Sequence, residues 1–260
     1  MHNRPLLFTI LGVVFAFLYI PISVLVALSF NEGGLPTAWT GFSLKWYGAL
    51  LGNADILQAA LNTLIVALVS ATLATILGTL LAIGIETRAH KGRWLESLIF
   101  APMIIPDIVL AIALLSFFSL LKVPMGLHTI IAAHVVFNLA FVCAVVRARL
   151  KSFDWSIVEA STDLGAPLAT TYRRIVIPVL APAIIAGALL AFTLSVDEFI
   201  IAFFTSGAGA SSTTLPMQIY AMIRFGVTPE INALATLVLG LSVTALALAQ
   251  RLNRGGIPGQ

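Results

Sequence analysis

Six long stretches of this chain carry almost no charge, and they limit what it can fold into. Pro5 to Asn31, Ile56 to Ile85, Val123 to Val146, Ile175 to Val196 and Ile231 to Gln250 contain no Asp, Glu, Lys or Arg, and Ser97 to Leu121 contains only Asp107. A bilayer core about 30 Å thick needs about 20 apolar residues in a helix. Each run reaches that length. The fifth continues past Asp197 and Glu198 into Phe199–Phe204. The uncharged stretch Phe199–Ile223 does not read as a further span, because Gly207, Gly209, Ser211, Ser212, Thr213 and Thr214 mark a loop within it. The expected fold is an all-α membrane protein with six transmembrane helices, forming one transmembrane domain over residues 1–260. The first run is apolar from Leu6 to Phe30, longer than a signal-peptide core of about 7–15 residues. It reads as a span despite the small-x-small pair Ala27 and Ser29.

Composition agrees with that reading. Hydrophobic residues make up 60% of the chain and charged residues 10%, against about 25% charged in a soluble domain. A soluble globular enzyme, a disordered chain and a disulfide scaffold are all excluded. Cys143 is the single cysteine, so no intramolecular disulfide forms, and it reads as a small apolar helix residue. The net charge of +3 is too small for a nucleic-acid-binding face. The positions of the basic residues matter more than their sum. One set of loops holds Arg4, Arg88, Lys91, Arg93, Arg147, Arg149, Lys151, Arg173, Arg174, Arg251 and Arg254; the other holds only Lys45, Lys122 and Arg224. Basic loops stay on the cytoplasmic side, which predicts that both termini are cytoplasmic.

Several chemistries have no motif here. There is no G-x-x-x-x-G-K-[ST] for ATP, no G-x-S-x-G nucleophile turn and no H-E-x-x-H pair among His2, His90, His128 and His134. His90 reads as a solvated loop residue, and His128 and His134 as interfacial packing at the start of the fourth span. Asn62, Asn138 and Asn232 are followed by Thr, Leu and Ala, so the Asn-Pro-Ala loops of a water channel are missing.

The longest basic loop, about 147–178, is the most informative. Its centre reads Ser156-Ile-Val-Glu159-Ala160-Ser161-Thr162-Asp163-Leu164-Gly165-Ala166-Pro167. Ser156 and Glu159 have capping-box spacing, Gly165 is a natural helix stop, and Pro167 can open the next turn. This predicts two short helices joined at a glycine on the cytoplasmic face. Such an element is either an interfacial connector or a docking knob for a soluble partner.

The same loop resembles that of permease subunits of bacterial ABC importers, whose pattern is E-A-A-x-x-x-G-x(9)-I-x-L-P. Here it reads Glu159-Ala160-Ser161, Gly165, then Ile175-x-Ile177-Pro178, with Ser161 and Ile177 as the two departures. Other segments are similar to the second permease of spermidine/putrescine importers: Ser43-Leu44-Lys45-Trp46-Tyr47, Pro106-Asp107-Ile108-Val109, Leu194-Ser195-Val196-Asp197-Glu198 and Gly226–Thr236. Importers for opines, ferric iron and other solutes share parts of these. The resemblance implies a type I importer fold in the bacterial inner membrane, with a cytoplasmic coupling helix between spans 4 and 5. Glu159, Ala160, Ser161, Asp163 and Gly165 would then contact an ATP-binding subunit. It also implies the partners: a second permease subunit, two ATP-binding subunits that hold ATP and Mg, and an external substrate-binding protein. The chain itself would bind no cofactor and catalyse no bond chemistry.

Three carboxylates remain inside the runs. An ionised carboxylate at a span's centre costs roughly 3 kcal/mol or more, so it persists where it faces a cavity or finds a partner. Asp107 follows Pro106, where it either caps a helix or lines a pathway. Asp197 and Glu198 are adjacent, about 100° apart on a helix, so one faces a pathway and the other a neighbouring helix or the surface. No Lys or Arg lies within the same spans. The set is net acidic and suits a cation such as a polyamine, unless a companion permease supplies the basic partner. Tyr19, Tyr220 and Phe225 are the aromatic candidates for ammonium contact. Trp39, Trp46 and Tyr47 read as interface anchors or part of an external helix. Ala183, Gly187 and Ala191 give small-xxx-small spacing for close helix packing. The expected function is a permease subunit for polyamines. The alternatives are a permease for another solute (an opine, an amino-acid-like compound or a metal complex) and a stand-alone ion-coupled transporter. The last predicts inverted internal repeats, which the sequence does not display.

Overall fold

The structure is a computed structural model and describes residues 4–34, 38–87, 93–224, 226 and 228–254. His2, Arg88, His90, Lys91 and Phe225 lie outside the described residues. The chain forms two compact units, one of residues 1–57 with 219–260 and the other of residues 58–218.

In the first unit, α1 (Arg4–Leu28) is apolar on every side and exposed almost throughout. An all-round apolar helix that its own chain does not cover belongs in lipid or against another apolar surface. It packs on α12 (Pro229–Arg254), which also contacts α2 (Lys45–Gly52). Trp46 and Tyr47 lie on α2 and fasten the preceding loop. The Trp46 indole donates to the Asn31 carbonyl at 2.8 Å, and the Tyr47 hydroxyl lies 2.7 Å from the Ser29 hydroxyl. The buried Asn31 amide accepts from the Thr40 backbone at 2.8 Å and donates to the Ala38 carbonyl at 2.7 Å. These bonds satisfy a turn whose backbone groups lack helix partners.

The second unit is built around α6 (Leu127–Leu150). Buried residues recur along its whole length, from Thr129 to Leu150. It is flanked by α3 (Ala54–Thr87), α4 (Arg93–Ile104) and α9 (Ile177–Asp197). Glycines set the closeness of these contacts. A Cβ on Gly78 of α3 would lie 2.9 Å from the Val142 Cβ and 3.1 Å from the Cys143 backbone nitrogen. A Cβ on Gly187 of α9 would lie 3.3 Å from Val142. Gly187 and Ala191 therefore serve packing within this chain. Cys143 is buried in the same cluster, as a small apolar residue should be.

Two of the expected straight spans are broken. The third run divides into α4 and α5 (Asp107–Leu120), bent by 116° at Ile105–Pro106. The fifth ends at Asp197; Glu198 is extended, and α10 (Ile200–Thr205) starts afresh. The loop after α10 is held by α3. Asn62 donates to the Thr213 carbonyl at 2.8 Å, and the Thr63 hydroxyl accepts from Leu215 at 2.7 Å, at the start of α11 (Leu215–Ile223). Four helical segments of the described residues are long and apolar enough to cross a membrane, and the bent pair makes a fifth. The sixth run lies on α12, whose side chains beyond Gly240 are mostly outside the described residues.

Candidate functional site

The 147–178 loop forms one short helix, α7 (Ser156–Asp163), then α8 (Leu168–Thr171). The expected pair of separate helices is corrected in one respect. From Leu168 the chain passes through a π-helical stretch, Tyr172–Val176, directly into α9, giving one helical segment to Asp197. The capping box is also corrected. Ser156 is the first helical residue, Trp155 is the cap without a side-chain bond, and the Ser156 backbone donates to the Asp154 carboxylate at 3.0 Å. An Asx turn from Asp154, two residues earlier, replaces the Ser–Glu box. That leaves the Glu159 carboxylate exposed beside an open groove lined by Glu86, Thr87, Trp155, Val158 and Tyr172.

The C-terminus of α7 closes as the glycine predicts. Gly165 has φ +78°, its N–H bonds the Thr162 carbonyl at 2.9 Å, and the Ala166 N–H reaches back to Ser161 at 3.1 Å. This is the Schellman arrangement. Ala160 and Asp163 are exposed, and Leu164 is 88% exposed at the tip. Ser161 turns inward, its hydroxyl 2.8 Å from that of buried Thr171. Phe153 roots the loop in the core beside Leu150, Val176 and Leu180, with Trp155 edge-on to it. Sequence reasoning missed a clamp nearby. Arg147 holds Glu96 with two nitrogens and Glu86 with a third, at 3.4 Å, tying α6 to α4 and α3.

The carboxylates are partly brought together. Asp107 opens α5, where the positive end of the helix favours its charge. Glu198 sits in the α9–α10 break, its carboxylate accepting from the Ile201 backbone at 2.7 Å. Asp107 and Glu198 come from distant parts of the chain, but α5, which Asp107 opens, packs against α10, which Glu198 precedes. Asp197 is exposed at the last residue of α9, where a helix terminus is itself negative. The helix ends there, so Asp197 and Glu198 are not successive residues of one helix, as expected from the sequence, and the break rather than the helical step of about 100° sets them apart. The Arg147 ion pairs reach none of these three acids. Carboxylates without a basic partner favour a cation nearby. Tyr19, exposed beside Phe15, and Tyr220, also exposed, belong to the first unit.

His134 is not interfacial. It is 1% exposed in the core, with Nδ1 2.7 Å from the Ser195 hydroxyl, which lies 3.0 Å from that of Ser70. The only sequence signal was its place within a charge-free run.

Broken apolar helices, a protruding loop helix and a set of acids at the α5–α10 contact define a membrane transport component. Residues 74–255 match the family of binding-protein-dependent transport system inner membrane components, and the chain belongs to that family. It is 41% identical, over 93% of its length and 91% of the relative's, to the spermidine/putrescine transport system permease protein PotC of Escherichia coli (strain K12). To the putrescine transport system permease protein PotI of the same strain it is 43% identical, over 92% of this chain and 89% of the relative. Its fold is that of a chain in a bacterial ABC transporter that imports the acidic polysaccharide alginate, with a TM-score of 0.75 at 16% identity and 96% of each chain covered. A chain of the MetNI methionine ABC transporter matches with a TM-score of 0.65 at 20% identity, covering 78% of this chain and 96% of that one.

Proposed function

We propose that this chain is a permease subunit of an ATP-driven importer for polyamines such as spermidine and putrescine. The observation that carries the cargo class is the set of acids at the α5–α10 contact: Asp107 opens α5, Asp197 and Glu198 stand just before α10, and among the described residues no Lys or Arg pairs with them. A cargo with two or more ammonium groups supplies the missing charge, and the relatives that share more than 40% identity carry polyamines in their names. Tyr19 and Tyr220, in the first unit, remain candidates for aromatic contact with ammonium groups.

The whole chain acts as one permease domain with six spans, α12 being the last, and both termini cytoplasmic. The α7 helix is the coupling helix. Glu159, Ala160, Asp163 and Gly165 meet an ATP-binding subunit, while Ser161 braces α7 from within. A second permease, two ATP-binding subunits and an external binding protein complete the assembly. ATP and Mg act on the partners, and this chain catalyses no bond chemistry. ATP-driven closure pushes α7, and the spans rock between outward and inward access.

The test is uptake of labelled spermidine and putrescine in the native host with and without this chain, with ATP depleted and the proton gradient collapsed separately. Deletion should abolish an ATP-dependent component. Uptake that survives ATP depletion but fails on collapse of the gradient would replace this reading with an ion-coupled transporter.

A further inference from the structure

The core of the second unit holds polar groups that no described residue satisfies. His134 Nε2 and both amide atoms of Asn138 are fully enclosed and lack a protein hydrogen-bond partner. The two residues are 1% and 0% exposed, one helical turn apart on α6. Leaving such groups dry costs about 1–3 kcal/mol each.

Helix register shows what surrounds them. Ser195 of α9 bonds His134, and Gly187 meets Val142, so α9 runs antiparallel to α6. Ser70 of α3 meets the same Ser195, and Gly78 meets Val142, so α3 runs parallel to α6. Asn138 lies midway between His134 and Val142. The same interpolation puts Ala191 of α9 and Ala74 of α3 at its level, both fully buried. The helices on either side of α6 thus carry alanines, which offer no polar side chain, at the level of Asn138.

The hydrogen-bond chain runs from Ser70 through Ser195 to His134: the two serine hydroxyls lie 3.0 Å apart, and that of Ser195 lies 2.7 Å from His134 Nδ1. Either hydroxyl can donate, so Nε2 is an acceptor in one His134 tautomer and a donor in the other. The groups left over are Nε2, the Asn138 carbonyl oxygen and the Asn138 NH2 donors. A metal ion does not fit one histidine and an amide, and no metal-ligand cluster occurs among the described residues. An ammonium ion does not fit either, because no carboxylate belongs to the network and a buried charge needs one. The match is a neutral molecule that both donates and accepts.

We propose that His134 and Asn138 form an internal hydration site in the α3–α6–α9 core, holding one or two ordered waters. One water bonds His134 Nε2, as donor or acceptor according to the tautomer, and accepts from the Asn138 NH2; a second donates to the Asn138 carbonyl. Buried waters typically make about three such bonds. The site is independent of the cargo.

Radiolytic labelling of the full-length chain in lipid nanodiscs prepared in oxygen-18 water tests this, since irradiation of an ordered water modifies the side chains that touch it. The probe is water itself. His134 should acquire the heavy oxygen despite its burial, while Leu180, equally buried among apolar side chains, should not. Ala191→Val fills the space without touching a polar atom and should abolish the His134 label. Asn138→Leu should abolish it too, without raising the unfolding temperature. An unlabelled His134 in the native chain would overturn the proposal on its own. So would a rise in unfolding temperature in Asn138→Leu, which is the signature of a dry, unpaired amide.

Discussion

Gly165→Ala isolates one backbone term, because the structure removes the competing ones. Gly165 sits at φ +78°, and an added Cβ would meet nothing within 4 Å. The substitution therefore introduces no clash. Its cost is the left-handed conformation itself, about 1–2 kcal/mol for a residue with a Cβ. That energy falls on the two bonds that close α7, Gly165 N–H to Thr162 and Ala166 N–H to Ser161. If the closure opens locally, a penalty of this size raises the open population by a factor of about 5–30. Amide hydrogen exchange at Ala166, read by mass spectrometry on the full-length chain in nanodiscs, should accelerate by that factor. Amides within α6 should keep their native rates. Gly165→Asn should fall between glycine and alanine, because asparagine tolerates the left-handed region. Unchanged protection at Ala166 in the alanine variant would refute the reasoning, and so would an asparagine variant that exchanges faster than alanine.

Gly78→Ala should lower the unfolding temperature more than Gly187→Ala, because its Cβ would lie 2.9 Å from Val142 and 3.1 Å from the Cys143 backbone, against a nearest approach of 3.3 Å at Gly187; overpacking of this kind costs about 1–3 kcal/mol. Equal effects would count against so close an approach of α3 to α6. Arg147→Lys keeps the charge but loses the two-pronged hold on Glu96, costing about 1 kcal/mol at this partly exposed position. The deficit in thermal stability should shrink in 1 M salt (Debye length about 3 Å), and a deficit insensitive to salt would speak against an ionic clamp. Glu159→Ala should leave membrane insertion intact while ATP hydrolysis proceeds without uptake; full coupling would remove Glu159 from the docking surface. Asp197→Asn should weaken uptake of cationic cargo, and unchanged uptake kinetics would take Asp197 out of the pathway.

The charge pattern carried the helices well and their breaks poorly. A charge-free run says that a segment can lie in a bilayer, but not that it is straight. Pro106 marks a real break, yet Pro21, Pro102 and Pro182 sit inside helices. Proline removes one backbone bond in every case; neighbouring packing decides whether the helix bends. The break at Glu198 had a signal of a kind, two adjacent acids in an apolar run, but its meaning is local. The Glu198 side chain supplies the hydrogen bond that α10 needs at its start.

The loop was legible for the opposite reason. Its signals are short-range, and a glycine at a required positive φ is read from sequence almost as well as from structure. Ser161 shows where that stops. In sequence it is a mild departure from a pattern. In space it is the hydroxyl that joins α7 to Thr171. Arg147 and His134 failed for the same reason. Their partners lie some 50 or more residues away in the chain, as the Glu96 and Ser195 bonds show.

These pieces suggest a route by which a push on α7 reaches the acids. Ser161 ties α7 to Thr171, and Thr171 belongs to the helical segment Leu168–Asp197. That segment has 30 residues, about 45 Å at helical rise, and it ends at Asp197 beside Glu198. A rigid rod would carry a displacement at one end to the other unchanged. The π-helical stretch Tyr172–Val176 interrupts the regular hydrogen-bond ladder just after the Thr171 contact, and such wide turns accompany functional sites. It is the place where a sideways push on α7 can become a rotation or shift of α9. The contacts beyond it, Gly187 on Val142 and Ser195 on His134, fix α9 to α6. The motion then has two outlets: slippage along the α6 contact, or movement of both helices as a body. Arg147 clamps α6 to α3 and α4 at the α7 end, so a movement of α6 carries α3 and α4 with it. If α7 is the coupling helix proposed above, this arrangement predicts that α3, α4, α6 and α9 move together.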